Sequence, residues 1–205
     1  MAGSTSESGD AAVDEAVVLV VMGVTGTGKS TVAGILAGLL DWDLEEGDDL
    51  HPEANVAKMS AGEPLTDEDR WPWLDRIAAW IQLHTQSGRP GIITCSALKR
   101  SYRDRLRGPG VVFVHLSGSK EQIQDRLGRR LNHFMPSSLL DSQLQTLQPL
   151  GADERGIVIP LGGGPRDEVG RVLAALRLTP LAPPSSAPDD EGEDADGSPP
   201  RPPGG

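Results

Sequence analysis

The sequence predicts an α/β protein, a central parallel sheet with helices on both faces. Three observations carry that prediction. Short strand-like runs alternate with helix-patterned segments along most of the chain. Those runs hold four to six apolar residues without polar alternation, the pattern of strands buried on both sides. The first run passes directly into Gly23-Val24-Thr25-Gly26-Thr27-Gly28-Lys29-Ser30, a glycine-rich turn that opens a helix.

The elements follow in order. Residues 17–22 form the first strand, and 31–40 a helix of apolar and small residues. Residues 41–46 make a short second strand that ends in acids. Over 67–86, Trp73, Leu74, Ile77, Ala78 and Ile81 are spaced for one helix face, with Thr66 or Asp67 as cap. Residues 91–95 are the third strand, 97–107 a basic helix, and 111–116 the fourth strand. A helix over 119–130 is capped by Ser117 or Ser119. A polar stretch from 131 to about 136 interrupts, and a further helix runs to 147. Residues 157–160 are the last strand and 165–177 the last helix. Ligands of such sheets sit at the carboxyl ends of the strands.

The 205 residues divide by composition into a domain over 16–178 between two tails, 1–15 and 179–205. The tails are poor in apolar residues and cannot bury enough surface to offset chain entropy, so they are expected to be disordered. They also carry most of the net charge of −11. Four acids lie in the first tail, and six acids face only Arg201 in the second, which leaves 20 acids and 18 bases between them. A near-neutral domain does not repel anionic ligands and is not a basic nucleic-acid surface. Cys95 is the only cysteine, so no intrachain disulfide forms. The chain start lacks the positive charge of a secretory signal, and residues 17–22 are too short to span a bilayer. A soluble cytoplasmic protein is expected.

The glycine-rich turn has the spacing of a phosphate-binding loop, and its strand-before, helix-after context supports that reading. Backbone N–H groups of Gly23, Val24, Thr25, Gly26, Thr27 and Gly28, with the helix start at Lys29, Ser30 and Thr31, would cradle phosphates. Lys29 would reach the β- and γ-phosphates, and the Ser30 hydroxyl would ligate Mg²⁺. The chain has no Asn-Lys-x-Asp for guanine and no Leu-Ser-Gly-Gly-Gln, which disfavours a GTP switch and a transporter-type ATPase. No late strand ends in an Asp of the magnesium-orienting type. The acids instead follow the second strand, in Glu46-Gly47-Asp48-Asp49. A carboxylate there can accept a hydroxyl proton or hold water on Mg²⁺. Read as extended chain, this segment turns Asp48 and Asp49 to opposite sides, so that one of them faces the loop.

The phosphate loop, then Glu46-Gly47-Asp48-Asp49-Leu50-His51-Pro52, resembles the gluconate kinase family. The resemblance continues through Asn55, Lys58-Met59, Gly62-Glu63-Pro64-Leu65, Asp67, Asp69-Arg70 and Pro72-Trp73-Leu74. Cys95-Ser96-Ala97-Leu98-Lys99, Tyr102-Arg103 and Gly151-Ala152-Asp153-Glu154-Arg155 complete it. The resemblance implies a three-layer P-loop kinase fold with a mobile lid near 130–140. It also implies transfer of phosphate from ATP, with Mg²⁺, to the 6-hydroxyl of D-gluconate, by a protein that is often a homodimer. It places the acceptor among Asp48, His51, Lys58, Arg70, Ser96, Lys99 and Arg103, with Arg70 and Arg103 as unranked partners for a carboxylate. Asp48 is the acid the family shares. Mg²⁺ would lie on Ser30, with Glu46 or Asp48 acting through water. Arg126, Arg129 and Arg130 precede the lid segment, and Arg126 and Arg130, four apart, share a helix face. Arg130 is the catalytic candidate and Arg126 the nucleotide-binding one. Asn132 stands where the family has a glycine, Met135 where a second aromatic is common, and Gln145 and Gln148-Pro149 where it has an acid and a Glu-Pro step. Gly151-Ala152-Asp153-Glu154 resembles the loop against the adenine.

Overall fold

A computed structural model describes residues 18–128 and 137–181. Among them, β1 (Val18–Met22), β2 (Asp43–Glu46), β3 (Gly91–Thr94), β4 (Val111–Ser117) and β5 (Gly156–Pro160) form one sheet in the order β2-β3-β1-β4-β5. Every pairing is parallel. β1 lies at the centre, and all five of its residues are fully buried. Its side chains alternate between two cores because successive residues of a strand face opposite sides. Val18, Val20 and Met22 pack with Trp73, Leu74, Ile77 and Phe113 on one face. Leu19 and Val21 pack with Val32, Leu36, Val114 and Val172 on the other.

The helices are α1 (Lys29–Leu40), α2 (Glu53–Ser60), α3 (Asp67–Ser87), α4 (Arg100–Leu106), α5 (Lys120–Gly128), α6 (Ser137–Thr146) and α7 (Pro165–Leu176). α3 and α4 cover the first face, while α1, α5 and α7, with Leu140 of α6, cover the second. The caps settle two alternatives. Thr66 caps α3, accepting from the Asp69 N–H while the Asp69 carboxylate takes the Thr66 N–H, a reciprocal capping box. Ser119 precedes α5, and its hydroxyl and backbone N–H exchange bonds with Gln122.

Three local features depart from the sequence reading. α2 is a helix that no apolar periodicity announces: only Asn55 of its eight residues is buried. Residues 47–50 are a 3-10 turn rather than extended chain. The basic helix starts at Arg100 rather than 97, because Ala97 sits in the left-handed region at φ 45° and turns the chain first. The tails and the lid segment with Arg129 and Arg130 lie outside the described residues.

Candidate active site

The chain leaves β1 toward β2 and β3 on one side and returns to β4 and β5 on the other. The crevice at the carboxyl end of β1 is therefore the switch point where such sheets bind ligands. The phosphate loop occupies it. The Gly23 N–H donates to the Ser96 carbonyl at 3.3 Å, which ties the loop to the segment after β3. The Thr27 hydroxyl and the Lys29 ammonium both donate to the Val24 carbonyl, at 2.8 and 3.2 Å. Gly28 takes φ 92° and caps α1, and a helix N-terminus beside the loop favours an anion. Gln143 of α6, which the sequence reading did not single out, accepts from the Thr25 N–H at 2.7 Å.

A carboxylate beside the loop comes from β2. Ser30 donates to Glu46 Oε2 at 3.0 Å, and Thr94 at the end of β3 donates to the same oxygen at 2.6 Å. Thr94 also accepts from the Gly47 N–H at 3.2 Å. Gly47 is required by this approach: a Cβ there would stand 2.0 Å from the Thr94 carbonyl oxygen. Trp73 donates its indole N–H to the Gly47 carbonyl at 2.6 Å and fixes the turn from below. One hydroxyl and one carboxylate, both hard oxygen donors, suit Mg²⁺, which keeps most of its waters and takes few protein ligands.

The turn carries Asp48 and Asp49, both exposed. Asp48, Lys29 and Arg70 all act electrostatically on the Cys95 thiol at the end of β3. The thiol itself is pushed up to about 12, chiefly by burial, and is inert as a nucleophile. His51 stacks on Trp73 with centroids 4.3 Å apart. Burial holds its pKa below the usual imidazole value, against the opposing pull of Asp48.

The acceptor-side cations separate by partner. Lys58 is held by Asp69 at 2.7 Å, and Lys99 by Asp67 at 2.7 Å. Tyr102 donates to Asp67 at 2.6 Å. These bonds pull the Asp67 and Asp69 carboxyls below their ordinary range, with Lys99 and Lys58 respectively as the first cause. Arg70 has no carboxylate partner among the described residues. Its guanidinium lies 6.0 Å from the Tyr102 ring centre and donates weakly to the Leu65 carbonyl at 3.5 Å.

Arg103 is the main correction. It is fully buried, and its whole fork is occupied. Nε and one terminal nitrogen bind the Glu154 carboxylate at 2.6 and 3.0 Å. The remaining donors serve the carbonyls of Ala97, Leu98, Gln148 and Pro149. A guanidinium so committed has nothing to offer an acceptor. It holds the loop after β3 against the loop before β5. The same pair organises the loop Gly151-Ala152-Asp153-Glu154 through its side chains. Glu154 closes on Arg103, and Asp153 pairs with the exposed Arg100 and Arg107.

The cleft beside the phosphate loop has a volume of about 570 Å³ and is bounded by Gly26, Gly28, Arg126, Gly163, Gly164 and Pro165. Arg126 of α5 donates to the Thr27 carbonyl at 3.1 Å and pairs with Glu168 of α7. A larger cavity of about 710 Å³ opens between the far ends of α3 and α4, near Gln82, Thr85 and Arg107. No residue of the phosphate loop or acid turn lines it, so it is not the reaction site.

A phosphate loop at the switch point, a hydroxyl–carboxylate pair beside it, and acids and cations across the crevice together define a small-molecule kinase of the P-loop class. No model of a protein family matches the chain. Gluconokinase of Gluconobacter oxydans is 56% identical over 138 residues, covering 66% of this chain and 78% of that protein. A crystal structure of a sugar kinase from a Janibacter species is 48% identical with a TM-score of 0.73, covering 79% of this chain and 95% of that one. A gluconokinase structure from Sinorhizobium meliloti is 44% identical with a TM-score of 0.71, covering 80% and 93%. The chain belongs to the gluconokinase family.

Proposed function

We propose that the chain transfers the γ-phosphoryl group of ATP to the 6-hydroxyl of D-gluconate, with Mg²⁺ as cofactor. The phosphate loop at the switch point, with the Ser30–Glu46 pair beside it, carries this reading. A new bond forms between the 6-oxygen and the γ-phosphorus, the bond from the γ-phosphorus to the bridging oxygen of ADP breaks, and ADP leaves. Asp48 orients the attacking hydroxyl and takes its proton as the transfer completes. Lys29 and the loop N–H groups stabilise charge on the phosphates. Bound Mg²⁺ would neutralise the β- and γ-oxygens, with Ser30 as ligand and Glu46 acting through water.

On the acceptor side, Arg70 is the cation with charge left for the sugar acid's carboxylate. His51, Ser96, Lys58 and Lys99 supply polar groups for its hydroxyls. Arg103 plays no direct part. Arg130, and Arg126 beside the loop, remain the proposed cations over the phosphates. No helix among the described residues is long and apolar enough to cross a membrane. This reading fits a cytoplasmic enzyme, with a homodimer as the assembly the family resemblance implies.

Coupled release of ADP tests the reaction. Purified protein with ATP and Mg²⁺ is expected to turn over D-gluconate in preference to shikimate, glycerate and nucleoside monophosphates. Turnover of one of these without turnover of gluconate would sink the substrate. The tails are proposed to be dispensable. Deleting residues 1–14 and 182–205 is expected to leave turnover and melting temperature nearly unchanged, because both segments are poor in large apolar residues to dock. A large loss of either would show that a tail packs on the domain.

A further inference from the structure

The cleft beside the phosphate loop has two walls that come from distant parts of the chain. One is Arg126, on α5. The other is the Gly162-Gly163-Gly164 segment between β5 and α7, where all three residues take positive φ, from 75° to 152°. That backbone suits glycine alone, and a Cβ at Gly163 would also stand 2.3 Å from the Asp167 carboxylate. One side chain ties the walls together. Glu168, in the first turn of α7, is fully buried. Its carboxylate accepts from both terminal nitrogens of Arg126, one of them at 3.3 Å, and from the Gly162 N–H at 3.2 Å. The nitrogen of Arg126 that reaches the Thr27 carbonyl is itself held by Glu168. Arg171, one turn further along α7, holds the Pro160 and Gly162 carbonyls at 3.0 and 2.7 Å.

We infer that Glu168 is a positioning residue for the nucleotide. It sets the plane of the Arg126 guanidinium against the phosphate loop and fixes the facing glycine segment at the same time. Burying a carboxylate is costly, and a buried ion pair is a poor source of stability compared with apolar packing. It is a good source of fixed geometry, because a two-pronged guanidinium–carboxylate contact allows one orientation. Without Glu168, the partly exposed Arg126 side chain can turn to water and the glycine segment loses a support. A guanidinium held flat offers a face for a base to stack on and a charge for the phosphates. The acceptor pocket lies across the crevice and shares none of these contacts. The loss therefore falls on ATP and spares the acceptor.

This inference rests on the reading of the cleft as the ATP site, and its test separates the two. Full-length protein and Glu168→Gln are compared in steady-state kinetics with ATP varied at saturating gluconate, and with gluconate varied at saturating ATP. ADP binding is measured by calorimetry without gluconate. Glu168→Gln is expected to raise the KM for ATP and the Kd for ADP about tenfold, a step equal to roughly 1.4 kcal/mol. The KM for gluconate is expected to stay within twofold. Glu168→Asp, which keeps the charge, is expected to recover part of the loss. Should Glu168→Gln fail to fold, Arg126→Lys carries the test, because it keeps the charge and loses the fork. The same tenfold rise in the KM for ATP is expected, and a double variant that folds is expected to be no worse than the single ones. An unchanged KM for ATP in both variants, or equal rises for ATP and gluconate, overturns the positioning role. Failure of the parent protein to bind ADP overturns the ATP-site reading itself, and the inference with it.

Discussion

Asp48→Asn is expected to lower turnover by about a hundredfold or more, the usual contribution of a positioned acid–base group. The substitution keeps the shape of the side chain and removes its charge and basicity. Asp49→Asn is expected to stay within a few-fold of the parent. The two acids sit in a 3-10 turn, where successive residues are about 120° apart, because three residues complete a turn. They thus point apart, though not to opposite sides as extended chain would require. Asp48 acts electrostatically on both His51 and Cys95. Rates must be compared at saturating ATP and gluconate, so that weaker binding is not read as slower chemistry. A crippled Asp49→Asn beside a near-normal Asp48→Asn would reverse the assignment.

Arg103→Met is expected to destabilise the protein by about 3–5 kcal/mol, the cost of leaving one partner of a buried pair uncompensated. For a chain of this size that lowers Tm by about 10 °C. Both side chains are wholly buried, so solvent screening does not soften the effect. A second substitution, Glu154→Leu, is expected to restore much of the loss by removing the orphaned charge. Glu154 also gives the pair a pH signature. The bond from Arg103 holds its carboxyl below the ordinary value of 4.5, against burial. A depressed folded-state pKa contributes stability that is complete above that ordinary value and lost as pH falls through the folded one. Glu154→Gln is therefore expected to flatten the acid limb of stability by about one proton. Unfolding curves between neutral pH and pH 3 measure it. An Arg103→Met protein of normal Tm with a greatly raised KM for gluconate would return this residue to the acceptor pocket.

These two cases show what the sequence could convey. The strands were legible because residues such as Leu19, Val20 and Val21 are apolar on both faces, a pattern that few other environments produce. The phosphate loop was legible because all its parts are adjacent in the chain. Arg103 was not, because a cation on a short basic helix reads the same whether it faces water or a carboxylate 51 positions away. The same distance blindness hid the pairing of Arg126 with Glu168, which are 42 positions apart. α2 escaped notice because its one buried residue, Asn55, bonds the Asp69 carbonyl at 2.8 Å instead of joining an apolar stripe. The cleft beside the phosphate loop is bordered by a glycine run, which has no side chains to signal it.

The central place of β1 also has a history in time. Val18 pairs with Gly91 on one side and Val111 on the other, so β1 waits for β3 before it gains its first neighbour and for β4 before it gains its second. At about 5–20 residues per second, a ribosome leaves it unpaired for roughly 4–14 s. Pairings of such long range also close slowly once their partners exist. Throughout that interval Val-Leu-Val-Val-Met is a bare, uncharged segment of high strand propensity, the composition that seeds intermolecular sheets. The residue order that gives the finished enzyme its most protected strand gives the nascent chain its most adhesive one.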